Sequence, residues 1–232
     1  MPLQPRLQGH AVIESVIYLH GFASSSRSSK ATFLGGRLRE RGVRFVAPDL
    51  NLPDFSTLTV TRMLGQAAEA IAAAGSQVAL IGSSLGGFVA LHAAIAHPAA
   101  VRRLVLLAPA LDFGAARMRH LGEHGVDEWR ARNRLDVFHY AYGRILPVHY
   151  DLYTDAQRYD ALGAALAIPI QVFQGSRDTS VDPESVRAWS LSRPNVELHL
   201  LDDDHQLIAS LEPMWSEMTR FLGLARPTPP GP

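Results

Sequence analysis

The hexapeptide Gly82-Ser83-Ser84-Leu85-Gly86-Gly87 follows an apolar run ending at Ile81 and precedes an alanine-rich stretch, which makes it a G-x-S-x-G pattern at a strand-to-helix junction. The middle residue of such a turn must adopt a strained backbone so that its oxygen stands clear of the sheet. Glycines two positions to either side let neighbouring backbone come close without Cβ clashes. Ser84 is therefore the candidate nucleophile, although a glycine-rich turn that merely caps a helix has the same composition. A serine hydroxyl is a poor nucleophile at neutral pH and needs a base, itself oriented by an acid. Asp178 follows the apolar run IQVF and His205 follows VELHL, so both stand where strands should end, in the order serine, acid, histidine. Asp182, in Val181-Asp182-Pro183, is the neighbouring alternative to Asp178 and is read as a cap on the helix that follows. Asp202, Asp203 and Asp204 before the histidine are read as a solvated turn.

An acyl transfer to serine also needs N–H donors aimed at the developing oxyanion. The backbone N–H of Leu85, next after Ser84, is one candidate. The other is that of Phe22, in His20-Gly21-Phe22 after the run VIYL. His20 itself, like His92 and His97, is read as structural. In the loop that follows, Arg27 and Lys30 are either solvated or placed to meet an anionic part of a substrate.

These residues need a scaffold, and the rest of the chain supplies its pattern. Runs rich in Val, Ile and Leu at 16–19, 44–47, 78–81, 104–107, 170–173 and 196–200 predict strands. Stretches at 29–41, 56–74, 85–96, 183–192 and 206–222 predict helices. Most of the strand runs are continuously apolar, as in a parallel sheet covered on both faces. The alternation breaks for about 55 residues between Asp112 and Ala167, too long for a plain loop. There Val137, His139 and Ala141 alternate with Phe138, Tyr140 and Tyr142. Gly143 offers a turn, and Val148, Tyr150 and Leu152 resume the period of two. A β-hairpin flanked by helices is predicted, forming a lid whose Phe138, Tyr140, Tyr142 and Tyr150 either wall a substrate pocket or pack the hairpin. The expected organisation is an α/β core over 1–111 and 167–223, a lid or cap insertion over 112–166, and a disordered tail over 224–232.

Composition narrows the function. Of 232 residues, 47% are apolar and 19% charged, enough apolar material for a sizeable core, and at ~150 residues per domain the length reads as about one and a half domains, which one α/β domain with an insertion fits. Lys and Arg total 22 against 22 Asp and Glu, so no field of one sign favours nucleic acid or an anionic membrane. Cys is absent, which excludes disulfides, thiolate metal sites, iron–sulfur clusters and a cysteine nucleophile. Neither a secretory signal nor a run of the ~20 apolar residues that a bilayer requires is present, so a cytoplasmic protein without a membrane partner is expected.

Tyr18-Leu19-His20-Gly21-Phe22, Arg27-Ser28-Ser29-Lys30-Ala31 and Gly82-Ser83-Ser84-Leu85-Gly86-Gly87 together resemble the α/β-hydrolase superfamily, and within it the small bacterial esterases of the YqiA and YcfP type. The likeness runs from Val16 to Leu222. It implies an α/β-hydrolase fold, with a mostly parallel central sheet and helices on both faces, and a carboxylic ester hydrolase with a Ser-Asp-His triad, carboxylesterase or thioesterase, needing no cofactor and no metal. Ser84 would be nucleophile, Asp178 acid, His205 base, and Phe22 and Leu85 the oxyanion donors. Two features depart from the pattern: the lid is longer than in the smallest members, and Asp204 stands where many relatives carry glycine. The expected substrate is a small-molecule ester or thioester. A serine peptidase of the prolyl-oligopeptidase type and a catalytically silent ligand-binding module are the alternatives, and acyl length, leaving group and oligomeric state stay open.

Overall fold

A computed structural model describes residues 13–75, 77–115 and 124–224. In chain order the elements are β1 (Ser15–Leu19), α1 (Ser29–Arg39), β2 (Arg44–Val46), α2 (Val60–Ala74), β3 (Val78–Ser83), α3 (Leu85–Ala96) and β4 (Val101–Leu107). They continue with α4 (Gly125–Arg132), β5 (Leu135–His139), β6 (Arg144–Val148), α5 (Asp151–Ala156), β7 (Ile170–Gly175), α6 (Pro183–Leu191), β8 (Val196–Leu201) and α7 (Leu211–Leu222). Six strands form one parallel sheet in the order β2-β1-β3-β4-β7-β8, while β5 and β6 pair antiparallel as a separate hairpin.

Alternate residues of the strands feed two cores, which is why the strand sequences are apolar throughout. Ile17, Leu19, Leu80, Leu104, Leu106 and Val172 lie on one face with residues of α2, α3 and α6. Val16, Tyr18, Ala79, Ile81, Val105, Leu107 and Phe173 lie on the other with residues of α1 and α7. Each such buried aliphatic side chain is worth about 1.5–3 kcal/mol, so a one-residue slip of a central strand would be prohibitive. The parallel order also brings the carboxyl ends of β1, β3, β7 and β8 to one rim, where their loops meet.

Several helix and strand ends differ from the sequence expectation. The helix expected from Ser56 begins at Val60: the Asp54 side chain caps a 3-10 turn at 55–57, and Thr59 then caps α2 by accepting from the Arg62 N–H. The helix expected from Gln206 begins at Leu211, because Leu207 sits at φ 54° and interrupts any helical run. Tyr150 and Leu152 do not extend the hairpin; Tyr150 is the N-cap of α5 and Leu152 lies within it, buried. β4 also starts at Val101 rather than Leu104. Leu224, expected to open the tail, packs on the second core and donates its N–H to Thr219, while 225–232 and the 116–123 part of the expected lid lie outside the described residues.

The segment from α4 to α5 packs onto the first core through Trp129, Val148, Leu152 and Tyr153. The Trp129 indole donates to the Val148 carbonyl at 3.0 Å, fixing α4 on the hairpin. Asp155 accepts from the N–H of Thr61 at 2.6 Å and from its hydroxyl at 2.6 Å, so a carboxylate from α5 closes the exposed N-terminus of α2. No helix among the described residues is long and apolar enough to cross a membrane.

Candidate active site

The turn from β3 into α3 holds Ser84 at φ 53° and ψ −120°, a conformation that an L-residue adopts only when its surroundings enforce it. Two glycines supply that enforcement. A Cβ on Gly82 would lie 2.3 Å from the Gly86 carbonyl oxygen, and one on Gly86 would lie 2.1 Å from that of Leu19, so neither position tolerates a side chain. α3 can therefore start directly against the end of β1, with the Ser84 side chain at the rim. The Ser84 N–H donates to Leu107 at 2.9 Å, and its carbonyl accepts from Gly87 at 2.8 Å.

His205, in the loop after β8, places Nε2 at 3.1 Å from Ser84 Oγ. Its Nδ1 lies 2.8 Å from Asp178 Oδ2. An ionised carboxylate only accepts, so Nδ1 carries the proton, and Nε2 is left to accept from the serine hydroxyl. Asp178 has a fully buried side chain. Its Oδ1 accepts from the N–H groups of Ser180 at 2.8 Å and Val181 at 2.9 Å, and its Oδ2 also from the Gln174 amide at 2.9 Å. Burial pushes this carboxyl up, but the hydrogen bonds from His205, Val181 and Gln174 outweigh it and hold Asp178 below the ordinary carboxylate range. Asp182 caps α6, its side chain accepting from the Glu184 N–H at 3.2 Å.

Leu85 opens α3, so its N–H has no carbonyl a turn earlier to meet within the helix. Among the described residues no acceptor takes the N–H of Phe22, which sits in the turn after β1, before Ala23 at φ 52°. His20 organises that turn. Its Nδ1 donates to the Gly21 carbonyl at 2.9 Å, and its Nε2 accepts from the Leu50 N–H at 3.0 Å, both bonds fitting a neutral, structural imidazole.

The hairpin docks beside this turn. The Tyr140 N–H donates to the Ala23 carbonyl at 3.0 Å, and a row of rings links the two segments: Tyr142 stacks on His139 at 4.1 Å, His139 meets Phe55 edge-on at 4.7 Å, and Phe55 meets Phe22 at 5.4 Å. Of the four lid aromatics, Phe138 and Tyr140 are 51% and 76% exposed and pack on each other, Tyr142 covers His139, and Tyr150 packs on Trp129. Arg27 is exposed and donates its backbone N–H to Ser25. Lys30 is neither solvated nor turned outward, as its loop position suggests, but buried with Nζ at 2.8 Å from the Gln206 carbonyl.

The three aspartates are not a uniformly solvated turn. Asp203 is buried and accepts from the N–H groups of Asp204 at 2.8 Å and Ser210 at 2.9 Å, which shapes the loop bearing His205. Asp202 is exposed and pairs with Arg177. His92 packs against Phe88 and Tyr159, and His97 is the C-cap of α3. Sequence order was enough to single out Ser84, Asp178 and His205. It gave no notice of Gln174, nor of Phe55, His139 or the inward turn of Lys30, whose partners in Phe22, Phe55 and Gln206 are far away in the chain; that Lys30 is the single lysine was the one available hint.

The backbone is similar to several solved structures. Est1E from Butyrivibrio proteoclasticus, with ferulic acid bound, aligns with a TM-score of 0.78 at 21% identity over 92% of this chain and 90% of that one. The mouse alpha/beta hydrolase domain-containing protein 10 aligns at 0.76 and 22% identity over 90% and 89%. A monoacylglycerol lipase from Paleococcus ferrophilus aligns at 0.73 and 17% identity over 91% and 95%. At such identities the likeness establishes a shared fold, the α/β-hydrolase fold, and leaves the reaction to the site. A search of curated protein sequences finds no match. Residues 15–223 match the model of the uncharacterised protein family UPF0227, and the chain belongs to that family.

Proposed function

We propose that this chain is a serine hydrolase that cleaves small carboxylic esters or thioesters through an acyl-Ser84 intermediate. The observation that carries the reading is the hydrogen-bonded chain from Ser84 Oγ to His205 Nε2 at 3.1 Å and from His205 Nδ1 to Asp178 Oδ2 at 2.8 Å, set on a serine with φ 53°. His205 takes the Ser84 proton as the oxygen attacks the carbonyl. Asp178, kept ionised by its N–H donors, holds the ring in the Nδ1–H tautomer and stabilises the imidazolium. The N–H groups of Phe22 and Leu85 receive the oxyanion. His205 then protonates the leaving alcohol or thiol, and water enters with the same imidazole as base. The chemistry calls for no metal or organic cofactor, and Phe22, Phe55 and the docked hairpin form the side from which the acyl or alcohol group would be bounded.

The test is hydrolysis of p-nitrophenyl esters from acetate to palmitate, beside the matching acyl-CoA thioesters, for wild type and Ser84→Ala. Ser84→Ala is expected to lower kcat by at least ~10³-fold and to abolish labelling by a fluorophosphonate probe. A folded wild-type protein that takes up no probe and turns over no ester would overturn the reading.

A further inference from the structure

Lys30 is the single lysine of the chain, and it occupies a place that general physics disfavours. It stands in the first turn of α1, capped by Ser28, where the helix dipole opposes a positive charge. Its side chain is buried at 7% exposure, where an ammonium loses its hydration. Burial pulls Lys30 down to about 8, against the opposing charges of Asp204, Asp178 and Asp203, so the group remains mostly cationic at neutral pH. What it obtains there among the described residues is one hydrogen bond, Nζ to the Gln206 carbonyl at 2.8 Å.

That carbonyl belongs to the peptide unit joining Gln206 to Leu207, and Leu207 is a fully buried leucine at φ 54°. A branched residue in the left-handed region favours rotation of its preceding peptide back toward ordinary geometry. Among the described residues one other bond holds this peptide unit, the Leu207 N–H to the Asp204 carbonyl at 3.3 Å. His205 lies one residue before it, on the same short turn between the buried anchors Asp203 and Leu207. We infer that Lys30 is a positioning residue for the base: its ammonium, seated in the first turn of α1, holds the Gln206–Leu207 peptide unit in its strained orientation and thereby keeps His205 aimed at Ser84. The inference rests on the reading of Ser84, His205 and Asp178 as the reacting set. It also ties the β1–α1 segment, which carries Phe22, to the loop that carries His205.

Lys30→Met keeps the length of the side chain and removes the charge, so the buried site stays filled. It is expected to lower kcat about 10- to 100-fold with KM within about twofold, since misplacing a base by about 1 Å costs that much. Because the chain has no cysteine, Lys30→Cys can be alkylated at one position in urea and refolded. Alkylation with 2-bromoethylamine, which restores an ammonium at lysine length, is expected to restore kcat, and alkylation with iodoacetamide is not. A second readout needs no substrate: the far-downfield proton resonance of His205 Nδ1–H, assigned by its loss in His205→Ala, is expected to broaden in Lys30→Met and to sharpen again in the aminoethylated protein. Unchanged kcat in Lys30→Met, equal rescue by both reagents, or an unaltered Nδ1–H resonance would each overturn the inference. If wild type hydrolyses no ester, the proposed activity falls, and the resonance still decides the role of Lys30.

Discussion

Asp178 is a carboxylate both buried and charged, and its four donors explain how. Two backbone N–H groups, an amide and an imidazole replace the water it has lost, so the negative charge persists without solvent. Asp178→Asn is expected to lower kcat by about 10³- to 10⁴-fold with KM little changed, because the amide can hold the ring in the wrong tautomer and cannot stabilise the imidazolium. The same residue makes a statement about acid stability. Its folded value lies below the ordinary one, so its contribution is complete above the ordinary carboxylate range and is lost as the pH falls through the lowered value. Urea midpoints for wild type and Asp178→Asn are therefore expected to differ at pH 7 and to converge below about pH 4. At this scale the sequence was legible where chemistry imposes an order on the chain, as for Ser84, Asp178 and His205. It was silent on Lys30, whose serine-rich surroundings suggest solvent, since only the return of the loop after β8 supplies its partner.

The hairpin of β5 and β6 is the element that contacts the turn bearing Phe22, and His139 is its buried end. Both ring nitrogens of His139 lack a partner among the described residues, and the ring is sandwiched between Tyr142 and Phe55. Burial holds His139 below the ordinary imidazole value, while Asp49 opposes. A histidine lowered in this way favours docking above its ordinary value and withdraws that support as the pH falls through the lowered one. Hydrogen exchange at the Tyr140 amide, corrected for intrinsic rates, is expected to accelerate relative to the sheet amides as the pH falls below the ordinary imidazole value of about 6.5. His139→Phe, which fills the same space without a titrating group, is expected to remove that acceleration; equal exchange in both proteins would refute the role. The alternation of residues 137 to 142 disclosed the hairpin itself. It did not disclose where the period ended, because Tyr150 and Leu152 keep the apolar spacing of a strand while the bond from the Tyr150 N–H to Asn133 turns the chain into α5.

The inserted segment and the sheet share one core, and this governs how the whole molecule unfolds. Trp129, Val148, Leu152 and Tyr153 lie in the same buried cluster as Leu80, Leu104 and Phe88. Trp129→Ala is expected to cost about 3–5 kcal/mol, read as a lower urea midpoint. Tryptophan fluorescence and far-ultraviolet circular dichroism are expected to report one coincident transition in wild type and variant alike; an early fluorescence step in wild type would show instead that the insertion unfolds by itself. The continuous apolar runs, the glycines around Ser84 and the order of serine, acid and histidine followed from sequence alone, because strand periodicity, the steric demands of a tight turn and the logic of a nucleophile with its base are all local. What only the tertiary structure decided is which distant groups meet: the sheet order that brings the loops after β3, β7 and β8 to one rim, the seating of the hairpin on Ala23, and the turning of Lys30 toward Gln206. Those meetings depend on packing energies summed over the whole core, and no short stretch of sequence contains that sum.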